Sequence, residues 1–494
     1  MKLNMRWMWV FWIPITLGSQ TDLRFEDVFI DKTLRIDFYQ IGNAKEEFVT
    51  IDRVCEEGPW SGNPLSLIDP FGYGRYRVQL IDPVSNRLVY SRGFDAYLGE
   101  YRTTEPAIQG VRRTYHRSVR VPCPKRSVVF VLQTRDRQNL YNTLYVQSID
   151  PSDYHIVKES LPNLDMVYQT VKGGDPKMSV DLVLIGEGYT AEQWQTFKSD
   201  VDRYTGLLFG FEPYKDWKNR FNIYTILRPS QESGMDEPRQ KHGKNTTLDC
   251  SFNALDLDRY MLTENNLEWR EIASQVPYDV AVILVNSERY GGGGIYNDFC
   301  TTTVNHALSP KVFIHEFGHN FAGLADEYYT SDVAYNEFYP KGVEPVDPNI
   351  TALLDPLRLK WSHLVAPGTG IPTEWGKERI EALQKEMWDC RRGEDGELAR
   401  LREQGADENK IRRTETRWKA KIDALQAKVA DVRSQYAHLA GKVGAFEGAG
   451  YASKDMYRPM LECLMFSNEG DTFCAVCRDA IERMIRFYTG GEKP

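Results

Sequence analysis

Ser309-Pro-Lys-Val-Phe-Ile-His-Glu-Phe-Gly-His-Asn-Phe-Ala-Gly-Leu-Ala-Asp-Glu-Tyr328 is the stretch from which the larger part of the chain can be read. Ser309 is a good N-cap and Pro310 suits the first helical position, so a helix is expected to start there. On such a helix His315 and His319 are four residues apart and share one face. Two neutral imidazoles with that spacing can hold one Zn2+ at about 2.0 to 2.1 Å each. Glu316 beside them can take a proton from a water that the ion acidifies.

A catalytic zinc takes three protein ligands and keeps one position open, so a third ligand must follow. In the metzincin pattern HExxHxxGxxH a glycine turns the chain after the helix and the third ligand arrives three residues later. Here Gly323 leads to Asp326 by the same step, with one extra residue between His319 and the glycine. Asp326 is therefore the expected third ligand and Glu327 its rival in the shifted register. The plain alternative is a core helix whose histidines are only hydrogen-bonded. The upstream apolar strand at residues 280–285, the glycine turn and the acidic Asp326-Glu-Tyr-Tyr329 speak against it.

Working outward, Val180-Asp-Leu-Val-Leu-Ile185 and Asp279-Val-Ala-Val-Ile-Leu-Val285 are near-continuous apolar runs, the mark of strands covered on both faces. Helical stretches are expected at about 191–209 and 255–275, giving an α/β or α+β domain. Gly186-Glu-Gly-Tyr-Thr-Ala191 matches a short dinucleotide fingerprint, but Thr190 with Gln193 forms a capping box that starts a helix, which is the preferred reading. Glu288-Arg-Tyr-Gly-Gly-Gly-Gly294 is either an edge along which an extended substrate pairs or a glycine-rich surface loop.

Residues 23–157 have a different grammar, with short alternating segments such as Leu34-Arg-Ile-Asp-Phe-Tyr39, Tyr76-Arg-Val-Gln-Leu-Ile81 and Ser127-Val-Val-Phe-Val-Leu132, punctuated by Gly and Pro clusters. They predict a β-sandwich over residues 21–165 that serves as an accessory or docking domain. A linker with Pro162 and Gly173-Gly-Asp-Pro176 leads to the catalytic domain at 166–494. Ahead of both, Lys2 and Arg6 precede an apolar run at residues 7–17 and then Gly18, Ser19 and Gln20, the layout of a secretory signal peptide over residues 1–20. The run is too short to span a bilayer, so the expectation is a secreted or periplasmic protein, or one at the cell surface, without stable membrane insertion. Asn245-Thr-Thr247 and Asn349-Ile-Thr351 are glycosylation sequons that matter only in a eukaryotic secretory pathway.

The chain's 494 residues exceed one ordinary core, and 41% hydrophobic with 27% charged residues is globular usage. Lys and Arg number 61 against 70 Asp and Glu, so charge points to no nucleic acid partner. Eight cysteines follow the leader: Cys55, Cys123, Cys250, Cys300, Cys390, Cys463, Cys474 and Cys477. Cys474 and Cys477 have CxxC spacing without a second CxxC, so a disulfide involving Cys463, or plain buried thiols, is preferred to a zinc ribbon.

From about 375 to 443 the composition turns to Lys, Arg, Glu, Ala and Gln. Trp418, Ile422, Leu425, Val429, Val432, Tyr436, Leu439 and Val443 follow a heptad seam. A shorter helix with Ile380, Leu383 and Met387 precedes it, separated by Gly393-Glu-Asp-Gly396. A helical hairpin fits best, and self-association along the seam is the alternative.

The stretch His-Glu-Phe-Gly-His-Asn-Phe-Ala-Gly-Leu-Ala-Asp-Glu-Tyr resembles the active-site segment of the IgA-peptidase family of secreted zinc metallopeptidases. Further likeness lies in Gly444-Ala-Phe-Glu-Gly-Ala-Gly450, Tyr457-Arg-Pro459, Cys463-Leu-Met465 and Phe473-Cys-Ala-Val-Cys-Arg-Asp-Ala480. The resemblance covers residues 165–490 and implies a metzincin-like α+β catalytic domain behind a β-sandwich. It implies zinc on His315, His319 and Asp326, Glu316 as general base, and Met465 in a turn beneath the metal, with Met460 or Met456 as substitutes. Tyr457 or Arg458 would supply an oxyanion donor. The hairpin looks like an insertion, so the family name does not make immunoglobulin A the substrate.

The expected function is thus a secreted zinc-dependent endopeptidase acting on protein or peptide substrates. Its rivals are a surface glycan- or protein-binding protein with a vestigial zinc site, and a zinc hydrolase of non-peptide amides.

Overall fold

The computed structural model describes residues 23–158, 165–329, 338–467 and 470–491. The leader at residues 1–20 lies outside them. Seven strands build the N-terminal part: β1 (Phe29–Gly42), β2 (Glu47–Glu57), β3 (Tyr76–Asp82), β4 (Arg87–Phe94), β5 (Arg113–Pro124), β6 (Val128–Arg135) and β7 (Tyr141–Ile149). They form two antiparallel sheets, ordered β2-β1-β5 and β4-β3-β6-β7. Alternate residues point one way along a strand, so Leu34, Ile36 and Phe38 of β1 reach a shared core with Val78 and Leu80 of β3 and Phe130 and Leu132 of β6.

The opposite face of β1 is polar, yet it is not solvated. Arg35 and Asp37 are buried, joined to each other at 2.9 Å, and Arg53 bridges Asp37 to Glu271 of the following domain at 3.0 and 2.6 Å. Arg117 and Arg270 both pair with buried Asp298. Such pairs are costly to break singly, about 3 to 5 kcal/mol, because the partner is left charged and buried. They fix the orientation of the first part on the second.

The second part is built on a six-stranded sheet ordered β12-β13-β11-β9-β10-β8, from β8 (Met166–Val171), β9 (Val180–Glu187), β10 (Phe221–Leu227), β11 (Val280–Val285), β12 (Gly292–Gly294) and β13 (Cys300–Thr303). The inner four run parallel and the two edges antiparallel. Val180, Leu182 and Leu184 of β9 enter one core with Val280, Val282 and Leu284 of β11. Val183, Ile185, Ala281, Ile283 and Val285 enter a second core on the other face. Both faces are covered, which is why these runs carry no polar alternation. Tyr97, Leu98, Tyr101 and Tyr115 from the N-terminal part belong to that second core. The molecule is α+β, with an N-terminal domain and a larger second domain that share packing.

The capping box of Thr190 and Gln193 is present and the helix Trp194–Leu208 follows it. The second expected helix is shorter than its sequence suggests, spanning only Asn266–Ala273 with Asn265 as N-cap. Residues 255–265 are instead an irregular loop, in which Leu255 and Asp256, like Asn253 just before them, take positive φ, outside helical geometry.

Two long helices, Lys377–Glu403 and Glu408–Gln435, lie antiparallel across a short turn. The expected break at Gly393 and Gly396 does not occur. The helix runs through both glycines, and a Cβ on Gly393 would stand 2.8 Å from the Trp418 ring, so the missing side chain makes room for the indole. The second helix stops at Gln435, short of Leu439 and Val443. Leu425, Val429 and Val432 of the seam are buried. The two-stranded sheet β14 (Phe446–Ala449) and β15 (Ala452–Arg458), a tight turn at 463–465 and the helix Ala475–Thr489 complete the chain. No helix among the described residues is long and apolar enough to cross a membrane.

Candidate metal centre

The helix carrying the two histidines is Ser309–Ala322. Its N-cap is Leu308 rather than Ser309, whose hydroxyl instead meets that of Thr303 at 3.1 Å. The helix ends at Gly323, whose φ of 62° is left-handed; its N–H closes on the carbonyls of Gly318 and His319. The chain then turns back under the helix, which delivers Asp326 to the histidine face.

His315 Nε2, His319 Nε2 and Asp326 Oδ1 form a triangle with edges of 3.1, 3.0 and 3.3 Å. An ion bound at about 2.05 Å in tetrahedral geometry needs neighbouring ligand atoms about 3.3 Å apart. The other atoms of each group are already engaged. His315 Nδ1 faces the carbonyl of Leu464 at 3.1 Å and His319 Nδ1 that of Leu324, so both rings donate from Nδ1 and, in their neutral form, present Nε2 lone pairs to the triangle. Asp326 Oδ2 accepts the Tyr451 hydroxyl at 2.6 Å, while Oδ1 is buried with no hydrogen-bond partner.

Three electron-rich atoms thus converge where positive charge is required. Burial alone would depress His319, but the Asp326 carboxylate outweighs it and lifts the imidazole to about 9. Burial also opposes ionisation of Asp326, and the two imidazoles outweigh it, holding that carboxyl well below the usual range. The donor set, two imidazoles and one carboxylate, suits Zn2+.

Glu316 lines the same cleft, a cavity of about 440 Å³. Burial raises its carboxyl above the ordinary range, against the opposing pull of His315 and His319. The glycine-rich segment forms edge strand β12 against this helix. A Cβ on Gly294 would lie 2.4 Å from the Glu316 carbonyl oxygen, so only glycine fits. At Gly292 the outer edge of β12 is bridged by Tyr260, with Met261 N–H on the Gly292 carbonyl at 3.2 Å. The segment is therefore a loop over residues 288–291 that runs into an edge strand at Gly292–Gly294, bridged on its outer side at Gly292.

Several sequence candidates fall elsewhere. Glu327 points away from the histidines and accepts Asn349 Nδ2 at 3.0 Å. That asparagine is fully buried, which removes it as a glycan acceptor. Arg458 is buried with its guanidinium on the carbonyls of Gly448 and Glu447, and neither it nor Tyr457 is among the residues lining the cleft. Met465 is buried in the turn, and its sulfur would be 3.3 Å from a Cβ on Gly318, under the histidine helix. Met456 and Met460 are packed away from that position, in a small cluster with Ala325 and against the Ala475 amide.

The cleft walls hold residues that sequence reasoning missed. Arg259 and Tyr260 come from the irregular loop read as helix, and Tyr451 from the turn between β14 and β15. Arg75, Asp95, Glu100 and Arg135 come from the N-terminal domain, for which the sequence suggests only an accessory or docking role. Their signal was absent because the approach is tertiary.

The family model described as IgA Peptidase M64 matches residues 169–485, and that described as Peptidase M64 N-terminus matches residues 24–146. No curated protein matches the chain.

Proposed function

The chain belongs to the M64 peptidase family, and from that premise we propose that it is a secreted, zinc-dependent endopeptidase. The observation that carries this reading is the triangle of His315 Nε2, His319 Nε2 and Asp326 Oδ1, with both Nδ1 atoms tied to carbonyls. Those three residues would hold the zinc. Bound there, it would polarise a peptide carbonyl and acidify a water molecule.

The protein's own groups do the rest. Glu316 accepts a proton from the attacking water and returns it to the leaving amine as the C–N bond breaks. Burial raises its pKa, which makes it a better proton acceptor than an exposed carboxylate. Tyr451 keeps the Asp326 carboxylate turned so that Oδ1 faces the histidines. Arg259, a permanent cation whose field reaches Glu316, is placed to stabilise negative charge growing on the carbonyl oxygen. Export is supported by the apolar leader at residues 7–17.

The test is mass spectrometry of a diverse peptide library incubated with the mature protein and with Glu316→Ala, both zinc-loaded. New internal termini made only by the wild type are expected. Equal cleavage by both removes Glu316 from its role, and no cleavage by either shifts weight to the binding-protein reading.

A further inference from the structure

Beneath the histidine helix lies a second convergence of metal-ligating atoms that the peptidase chemistry does not use. Glu327, Cys463, Cys474 and Cys477 each offer one atom within 4.8 Å of all the others. None of the four side chains is more than 3% exposed. We propose that these residues form a second, structural zinc site, separate from the histidine site and holding together the three chain segments that shape it.

Distances carry the first part of the argument. Cys463 Sγ and Cys477 Sγ are 3.7 Å apart, and Glu327 Oε1 lies 3.1 Å from Cys477 Sγ and 3.8 Å from Cys474 Sγ. A tetrahedral zinc at about 2.3 Å from sulfur and 2.0 Å from oxygen needs about 3.8 Å between sulfurs and about 3.5 Å between sulfur and oxygen. Three of the six separations fall within about 0.4 Å of those lengths, and the other three stay within 4.8 Å.

Backbone amides carry the second part. Met465 N–H and Cys474 N–H point at Cys463 Sγ at 3.5 and 3.3 Å, and Cys477 N–H points at Cys474 Sγ at 3.4 Å. Amides aimed at sulfur favour thiolates, the form in which cysteine binds metal. The third part is Glu327 itself. Asn349 Nδ2 orients Oε1 toward the sulfurs of Cys474 and Cys477, while Oε2 is buried with no hydrogen-bond partner, so one oxygen of the carboxyl is aimed into the cluster and the other is left unsatisfied. A divalent cation held between Oε1 and the sulfurs would neutralise the buried carboxylate together with the thiolates.

The rival states explain less. All eight cysteines are unpaired thiols here. A disulfide between any two of the three would leave the third sulfur facing Glu327. Three neutral thiols would let Cys474 and Cys477 donate to Glu327 Oε1 but would leave Oε2 buried without a partner. Binding releases the thiol protons to solvent, leaving three thiolates and one carboxylate around Zn2+. The buried Arg458 guanidinium, which interacts electrostatically with Glu327 and Cys463, offsets part of that negative charge.

The position explains why such a cross-link is useful. Glu327 adjoins Asp326, and its N–H bonds the Met465 carbonyl at 2.8 Å. Cys463 adjoins Leu464, whose carbonyl holds His315. Cys474 and Cys477 open the helix Ala475–Thr489, which enters the same core as the histidine helix. One ion would fix both the third ligand and the seat of the first.

The full chain without its leader, purified without chelator, should be compared by metal analysis with His315→Ala/His319→Ala and with Cys474→Ser. The double-histidine variant is expected to retain one zinc per chain. After exchange to cobalt it should show near-ultraviolet thiolate-to-cobalt charge-transfer absorption and the strong visible bands of a tetrahedral ion. Cys474→Ser should lose that absorption. Because the double-histidine variant keeps every cysteine, its result stands even if Cys474→Ser does not fold. A double-histidine variant without metal, cobalt spectra without thiolate bands, or a disulfide among Cys463, Cys474 and Cys477 in the native protein would overturn the assignment.

Discussion

Tyr451→Phe isolates one hydrogen bond at the candidate catalytic centre. The Tyr451 hydroxyl donates to Asp326 Oδ2 at 2.6 Å and so orients the carboxylate whose Oδ1 faces both histidines. Phenylalanine keeps the ring, which packs 5.5 Å from Tyr328 and 5.8 Å from Phe338. It also keeps a Cβ at a backbone φ of 64°, so the strain of that position is common to both forms. What is lost is a hydrogen bond to a charged group, about 1.5 to 3 kcal/mol. If that energy restrains Asp326 for the metal, zinc affinity should fall about 10- to 100-fold. Competition against a chromogenic chelator at fixed pH measures it, and the melting temperatures of the zinc-free forms check that the fold is shared. A dissociation constant within about twofold of wild type, or tighter, would refute the role given to Tyr451, against that predicted tenfold minimum.

Glu316→Gln should retain zinc while peptide cleavage falls by at least about 100-fold, the lower range for loss of a general base; metal analysis beside the peptide assay checks both. Gly294→Ala should be destabilised by about 1 to 3 kcal/mol in urea, because its Cβ meets the Glu316 carbonyl oxygen at 2.4 Å and must push β12 off the histidine helix. Unchanged stability would mean that the strand yields freely. Asp181→Asn tests a buried carboxyl in the sheet, which burial and then the charge of Asp279 lift well above its ordinary range. Because the folded pKa is the higher one, the folded state binds the extra proton, and stability is lost as pH rises from the unfolded pKa of about 3.9 through the folded value. The stability of Asp181→Asn relative to wild type should therefore grow between about pH 5 and 8, measured by urea unfolding at each pH. A gap that stays constant or narrows would contradict the sign.

Much of the fold was legible because it follows short-range periodicity. The runs at β9 and β11 lack polar alternation since each side meets its own core, and the helix with His315 and His319 is bounded by Pro310 and by the left-handed Gly323. The candidate ligands were legible for the same reason, as all three lie within one helix and its turn. What failed depends on contacts distant in sequence. The pattern at 255–265 suits a helix, but the loop takes left-handed positions instead and brings Arg259 to the cleft. Gly393 marks a contact with Trp418 rather than a break. Arg458 serves the β14–β15 backbone rather than the cleft. Cys474 and Cys477 lacked a second CxxC because their companions are a single cysteine and a glutamate supplied by other segments.

The wall that the N-terminal domain contributes to the cleft bears on how such a protein can change over evolutionary time. Arg75, Asp95, Glu100 and Arg135 face the space beside Glu316, and Tyr97, Leu98, Tyr101 and Tyr115 complete a core of the neighbouring domain. The front unit is therefore not a portable module. Exchanging it between relatives would transplant part of the cleft wall, while deleting it would strip a core and open the cleft at once. Change at Arg75, Asp95, Glu100 or Arg135 alters the wall of the cleft, and compensating changes should accumulate in pairs across Asp298 and Glu271, where the two units are bound by charge.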